Sequence, residues 1–171
     1  MSRGAWSLRL ARPTDAENMP DIHRAAIAGV AGEFGIAGRQ IGTLPDYARL
    51  IRRGHSLAAH VDEVMAGFLV AEPYRRELHI CNISVVPAFQ QRGIGAGLMR
   101  AAMIDARNTG FRALTLTTLR NLNGNTPFFT RLGFEKLSES DAHPHLAAEM
   151  AYAADGGPPP IGRCAMIRFL G

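Results

Sequence analysis

The sequence predicts a single α/β domain over residues 1–171, a sheet flanked by helices. Three observations predict it. Strand-like and helix-like runs interchange along the chain in the order β-α-α-β-β-β-α-β-α-β-(α)-β. The run from Glu77 to Val86 reads as a largely apolar central strand, of the kind buried on both faces. It stops at Pro87, and a glycine-dense turn then leads into a helix-like segment from Ile94.

Each element has a local cause. Trp6 to Ala11 alternates in polarity and reads as a first strand. Thr14 with Glu17 three residues later makes a capping box, which predicts a helix from there to about Ala31. Gly29, Gly32, Gly35, Gly38 and Gly42 make the next stretch loop-like. Leu44-Pro45-Asp46-Tyr47 opens a second short helix ending near Gly54. His55 to Val61 and Val64 to Pro73 form a hairpin through Asp62-Glu63. Ile94 to Asn108 is a helix whose Ile94, Leu98, Ala101, Ala102 and Met103 offer a broad apolar face, and Gly110 ends it. Ala113 to Leu119 is strongly β, a short helix reaches Leu132, and Phe134 to Leu137 is a further strand. Asp141 to Ala154 has helical character, Gly156 to Pro160 is a linker turn, and Cys164 to Leu170 is a last strand.

The turn after the central strand is the most informative segment. A strand, a glycine-rich turn and a helix N-terminus together cradle an anion, because free backbone N–H groups and the helix dipole converge there. Glycine lets the backbone approach a phosphate closely. A P-loop would need Gly-Lys followed by Ser or Thr, which the chain lacks. A dinucleotide fingerprint would need glycine at Leu98 and an acidic residue in Ala113 to Leu119, and neither is present.

The pattern Gln90-x-x-Gly93-x-Gly95 resembles the Q/R-x-x-G-x-G/A signature of the GNAT N-acetyltransferase superfamily. Asn125-Thr126-Pro127-Phe128-Phe129-Thr130-Arg131-Leu132-Gly133-Phe134 resembles its N-x-P-F-Y-x-R-L-G-F segment. Arg163-Cys164-Ala165-Met166-Ile167-Arg168 is similar to the ending of small bacterial members. The resemblance spans roughly Trp6 to Leu170 and is dense from His79 to Phe134. It implies a twisted mixed sheet of about six or seven strands, in which two neighbouring strands splay apart to admit acetyl-CoA. It also implies that acetyl-CoA contacts Ile83, Ser84 and Val85 on the strand, Gln91, Arg92, Gly93, Ile94, Gly95 and Ala96 in the turn, and Asn125 and Phe129 beyond it. Asn123 is a further candidate for the cofactor arm.

Composition bounds the setting. Hydrophobic content of 47% and charged content of 20% are ordinary for a globular chain. No apolar run approaches a membrane span, and Met1 to Trp6 lacks the apolar stretch of a signal peptide. Cys81 and Cys164 lie in strand-like runs and read as buried free thiols in a reducing cytoplasm. The net charge of +4 comes almost wholly from arginine, with Lys136 the only lysine. That excess suits an anionic cofactor. Nucleic acid is the alternative, disfavoured by the lack of a long basic run.

Acetyl transfer needs a neutral amine, a donor aimed at the developing oxyanion and a way for the thiolate to leave. By resemblance the donor is main chain at Ile83 to Val85, with Val85 as the catalytic position. By the same resemblance, the histone acetyltransferase branch has a glutamate base fourteen residues before the first motif glycine and the serotonin N-acetyltransferase branch a histidine at that spacing, and His79 stands there. An unperturbed imidazole titrates near ~6.5, suited to proton work at neutral pH. Glu77 and Glu72 are alternative bases, and Cys81 reads as a thiol rather than a nucleophile. The usual tyrosine acid is replaced by Phe129, so the thiolate leaves unassisted or is helped by water or Thr130. His143-Pro144-His145 lacks the further ligands of a metal site, and no metal is expected; the segment reads as a flap. The expected function is acetyl-CoA-dependent N-acetylation of a primary amine on a small molecule, ahead of a protein or peptide. A non-catalytic acyl-CoA-binding module is the alternative, and a basic nucleic-acid-binding protein the second. Acceptor choice is expected in Met19 to Leu50 and Asp141 to Pro160, and the family leaves room for a homodimer.

Overall fold

The computed structural model describes residues 5–33, 45–119, 125–137, 143–147 and 163–171. Within them, seven strands form one mixed sheet: β1 (Trp6–Leu10), β2 (Leu57–Val61), β3 (Val64–Tyr74), β4 (Glu77–Val85), β5 (Ala113–Leu119), β6 (Glu135–Lys136) and β7 (Arg163–Phe169). Their order is β1-β2-β3-β4-β5-β7-β6. The β4–β5 pair is parallel and the others are antiparallel. The helices are α1 (Met19–Glu33), α2 (Tyr47–Arg52), α3 (Ile94–Thr109) and α4 (Asn125–Arg131).

The sheet has an apolar core on each face. On one side Leu98, Met99 and Ala102 of α3 pack with Leu69, Leu78, Leu114 and Met166 of the sheet, and Phe129 and Phe134 close the α4 end. On the other, Met19 and Ile22 of α1 and Leu50 and Ile51 of α2 cover Phe68 and Val70. The Tyr47 and Phe68 rings meet edge to face at 5.4 Å. The largely apolar, doubly buried strand that the sequence predicts is only partly realised: Leu78 and Ile80 are buried, but Glu77, His79, Asn82 and Ser84 interrupt the run, and the strand is only half-buried at Cys81 to Ile83.

One irregularity in β4 shapes the site. Ala71 pairs with Ile80, but Val70 pairs with Asn82, so Cys81 is an extra residue. Leu78 and Ile80 belong to the α3-side core, and so do Ile83 and Val85 after the bulge. The bulge restores their alternation and leaves Cys81 and Asn82 on the α1 side.

Several sequence expectations shift. Thr14 does not open a long helix with Glu17. Pro13–Glu17 is a separate 3₁₀ turn, and α1 follows at Met19–Glu33. Asp15 supplies the cap instead, accepting the Arg12 backbone N–H at 2.6 Å and pairing with Arg9. A carboxylate with a guanidinium beside it is the stronger anchor in that buried corner. The second helix is shorter, Tyr47–Arg52, capped by Asp46. The strand after Phe134 is only Glu135–Lys136. Cys164 is buried, but Cys81 is only half-buried because the bulge lifts it out of the regular ladder; neither is in a disulfide. Of the helical segment expected over Asp141 to Ala154, only 143–147 lies in the described residues, with helix at 144–147. The linker turn Gly156 to Pro160 and Asn123 lie outside them.

A Cβ at Gly67 would stand 2.7 Å from the Ser84 carbonyl oxygen of the neighbouring strand. Gly67→Ala therefore forces β3 away from β4 at the bulged end. We expect a loss of about 1–3 kcal/mol, the scale of overpacking, read as a melting temperature lower by several degrees. An unchanged melting curve would show that the strands separate there without cost.

Candidate active site

The site is built where β4 leaves β5. Only Glu77, Leu78 and His79 pair with β5, opposite Ala113, Leu114 and Thr115. Beyond them β4 continues along β3 to Val85, while β5 continues along β7 to Leu119. The two strands thus enclose a wedge that opens toward the glycine turn. The Val86 N–H donates to the Ala66 carbonyl of β3 at 2.8 Å. Strand alternation then turns the main-chain groups of Ser84 toward β3 and those of Ile83 and Val85 toward the wedge. The Val85 carbonyl accepts from Gln90 Nε2 at 3.1 Å.

At the open end the turn is shaped by backbone geometry. Gln91 has φ +62° and Gly93 φ +84°, both left-handed. Gly93 is the N-cap of α3 and offers no side-chain cap, and the first internal bond of that helix runs from the Gly97 N–H to the Gly93 carbonyl at 2.9 Å. The N–H groups of Ile94, Gly95 and Ala96 therefore precede the helical ladder and face outward at its positive end. Trp6 braces the turn from β1: its indole N–H donates to the Arg92 carbonyl at 3.1 Å, and its ring lies so close over Gly97 that a Cβ there would collide with it. Arg92 also stacks over Phe89 at 5.2 Å. Anion-binding groups and a close-approach backbone coincide here, so the turn fits a diphosphate. The Asn125 side chain lies outside the described part. Phe129 is buried in the α4 core, edge to face with Phe128 and Phe134.

At the closed end a polar network is buried on the α1 side of the sheet. His79 is 4% exposed, and its Nδ1 lies 2.9 Å from Thr115 Oγ1. The same hydroxyl is 3.0 Å from Nε2 of His145. His145 stacks on Tyr74 with ring centroids 4.5 Å apart. Beside them the buried Glu77 accepts from Nδ1 of His143 at 2.6 Å and pairs with Arg112 at 2.7 Å. Burial pushes the Glu77 carboxyl up, but the bonds from His143 and Arg112 outweigh it and hold the group below the usual carboxylate range. Glu72 is held low mainly by its hydrogen bond with Arg49, and it accepts from the Tyr74 hydroxyl at 3.0 Å. Tyr74 is pushed up to about 12 by burial and by Glu72, so it stays protonated. Glu77 and Glu72 thus serve as ion-pair anchors, poorly matched to a base at neutral pH. Tyr74, Glu77, Arg112 and His145 line a pocket of about 440 Å³ at this end.

Between the two ends, on the bulge, Asn82 places its amide nitrogen 2.8 Å from Nδ1 of His23 on α1, and the Ser84 hydroxyl donates to Asn82 Oδ1 at 2.7 Å. Burial pushes the His23 imidazole down, against a smaller opposing effect of Asn82. Among the described residues no group of three or more His, Cys, Asp or Glu side chains is arranged to hold a metal.

Sequence reasoning singled out His79 and the turn, and the structure sets them at opposite ends of one wedge. It did not find Thr115, His23 or Asn82, and it read His143 and His145 only as flap residues. Their partners lie 30 to 66 positions away in sequence, as His145 does from Thr115 and His143 from Glu77, so no local pattern carries the signal.

The fold is shared widely. The N-acetyltransferase PaiA of Thermoplasma acidophilum, in a complex with coenzyme A, aligns with a TM-score of 0.72 at 17% identity, covering 96% of this chain and 99% of that one. The ribosomal-protein-S18-alanine N-acetyltransferase of Escherichia coli aligns with a TM-score of 0.70 at 15% identity, covering 98% and 95%. A GNAT family acetyltransferase of Brucella melitensis, in a complex with acetyl-CoA, gives 0.56 at 23% identity, covering 78% and 84%. The acetyltransferase (GNAT) family profile matches residues 24–134, and the chain belongs to that family.

Glu77 yields a pH prediction. Its folded pKa is depressed, so its contribution is complete above the unfolded carboxylate value of ~4.3 and is lost as pH falls through the folded one. Glu77→Gln should cost about 1–2 kcal/mol at neutral pH, most of it through His143, since Arg112 is half exposed and screened. Melting curves from pH 6 down to roughly pH 3 should converge for the two proteins. Parallel curves would assign the acid sensitivity to other carboxylates.

Proposed function

We propose that this protein is an acetyl-CoA-dependent N-acetyltransferase that acetylates a primary amine by direct attack, without an acyl-enzyme. The observation that carries the reading is the wedge itself. It joins an anion-binding turn at one end to a buried histidine at the other, with main-chain groups of Ile83 and Val85 between them. Family membership and the coenzyme complexes of the Thermoplasma and Brucella proteins support the same cofactor.

Acetyl-CoA brings the acetyl group as a thioester and a diphosphate to grip. The N–H groups at Gly93, Ile94, Gly95 and Ala96 would hold the diphosphate, with Gln91 and Arg92 at its rim. Ile83 and Val85 would meet the cofactor arm through their main chain, and a Val85 or Ile83 N–H would face the carbonyl oxygen as negative charge develops. Ser84 differs from them: its backbone belongs to the β3 ladder and its hydroxyl to Asn82, so its part is to shape the acceptor side. His79, at the last paired position before the strands part, takes the proton from the amine. An alkyl ammonium has a pKa of ~10, so its neutral fraction is what attacks, and the base takes the proton left on the nitrogen as the new bond forms.

The acceptor we favour is a small-molecule amine. The alanine of a ribosomal protein named for the Escherichia coli neighbour makes a peptide amine the competing choice. Two cysteines without a disulfide, Cys81 and Cys164, suit the reducing cytoplasm. Phe129 favours one second reading, a module that binds acyl-CoA without turnover, because its buried ring brings no proton to the sulfur.

Two measurements test the proposal. Acetyl-CoA should raise the melting temperature, and Gly95→Glu should abolish the shift while leaving the fold intact. A Cβ at Gly95 meets only ordinary contacts, 3.6 Å to Phe128 and 4.0 Å to Val85, so the effect falls on the ligand. An unchanged shift in that variant would remove the turn from the cofactor site. With a panel of small and peptide amines, His79→Ala should lower turnover by roughly 10²-fold and spare acetyl-CoA affinity, with partial recovery at high pH. Binding without turnover on every amine would favour the non-catalytic reading.

A further inference from the structure

The network behind His79 has no part in holding the fold's apolar core, yet it is buried and specifically aligned. Thr115 is fully buried on β5, and its hydroxyl lies between two imidazoles: His79 Nδ1 at 2.9 Å and His145 Nε2 at 3.0 Å. A hydroxyl has one proton to give. If His79 accepts a proton at Nε2, its Nδ1 carries hydrogen and donates to Thr115. The Thr115 hydroxyl is then free to donate to His145 Nε2, so three groups form a directed chain.

We propose that Thr115 and His145 form a proton store behind His79, which keeps the proton of the acceptor amine during acetyl transfer and returns it to the departing sulfur. This rests on His79 being the base. The acceptor enters as the neutral amine, its ammonium proton already given up to solvent. In the outward step its nitrogen bonds to the thioester carbon, an amine N–H bond breaks and a His79 Nε2–H bond forms. The Nδ1 hydrogen of His79 passes to Thr115 Oγ1, and the former Thr115 hydrogen passes to His145 Nε2. In the return step the thioester C–S bond breaks, each proton transfer reverses, and the hydrogen on His79 Nε2 goes to the departing thiolate. The sum is amine plus thioester to amide plus thiol, and all three side chains end in their starting tautomers.

Two features favour His145 as the place where charge rests. Glu77 Oε1 stands 4.0 Å from His145 Nε2, and the Tyr74 ring is stacked within 6° of parallel on its face. A carboxylate and an aromatic face both stabilise an imidazolium. Among the described residues, the charged and titratable groups around His145 are Tyr74 from β3, Glu77 and His79 from β4, and His143 from its own segment, with Arg112 on the far side of Glu77. Arg75 and Arg76 line the same pocket and, as cations, oppose a charge on His145, so the favourable groups are Glu77 and the Tyr74 ring. A returned proton also accounts for Phe129. With no tyrosine hydroxyl in that position, a base that gives its proton back supplies the acid.

The test uses the full chain and the amine found in the panel. Thr115→Val keeps the shape of the side chain and removes the hydroxyl. It should lower kcat by roughly 10-fold, a fraction of the ~10²-fold loss from removing the base itself, with KM for acetyl-CoA unchanged. Thr115→Ser should restore the rate, and His145→Gln should match Thr115→Val. The proton inventory of the wild-type rate in H₂O–D₂O mixtures should be curved, and that of Thr115→Val linear. Nitrogen NMR of the wild-type imidazoles should find both His79 and His145 as Nδ1–H tautomers, a readout that holds if a variant fails to fold. A Nε2–H tautomer at either histidine, or a linear wild-type inventory, overturns the store. Full activity in Thr115→Val and His145→Gln beside a crippled His79→Ala overturns the store and leaves the base in place. Full activity in His79→Ala overturns both.

Discussion

The parting of β4 from β5 is the constraint on which the site depends. Three residue pairs hold these parallel strands together, ending at His79 and Thr115. Each strand then follows its other neighbour, β4 along β3 and β5 along β7. Backbone groups that would have bonded across the sheet instead face a wedge. In a sheet covered by apolar helices on both faces, such groups are costly unless something meets them. A binding site for an extended, hydrogen-bonding ligand is the natural use of such a cleft.

The bulge at Cys81 adjusts the strand that borders the wedge. It lets Leu78, Ile80, Ile83 and Val85 all serve the α3-side core, although the last two are out of step with the first two. The extra residue is absorbed on the opposite face, where Asn82 and Ser84 meet His23 of α1. Polar side chains thus collect on the α1 side, and the α3 side stays apolar.

The ends of the wedge are secured by different physics. The open end relies on backbone geometry, a left-handed Gly93 and a turn braced by the Trp6 indole. The closed end relies on buried polar contacts in which Glu77 is matched by His143 and Arg112, and His79 by Thr115. Such networks are rigid when their members are satisfied and destabilising when one is removed. The proposed chemistry would draw on both, a compliant anion grip and a fixed proton acceptor.

Much of the fold was legible in the sequence, because its signals are local. Pro87, the Gln90 to Gly97 turn and Gly110 mark the ends of β4 and α3, and the expected bounds of β5 agree with the observed Ala113–Leu119. Backbone freedom at glycine and loss of an N–H at proline act on the residue itself, so no tertiary contact is needed to read them. The N-terminal cap shows the limit. Thr14 satisfied the local rule, but Arg9 on β1 settled the choice for Asp15. Likewise the sequence by itself determined the family, the turn and the position of His79. Only the tertiary structure decided that Thr115 and His145 lie behind that histidine, that Glu77 is tied to Arg112 and His143, and that Asn82 faces His23. Those pairings depend on strand order and on one inserted residue, which set neighbours in space that have no relation in sequence.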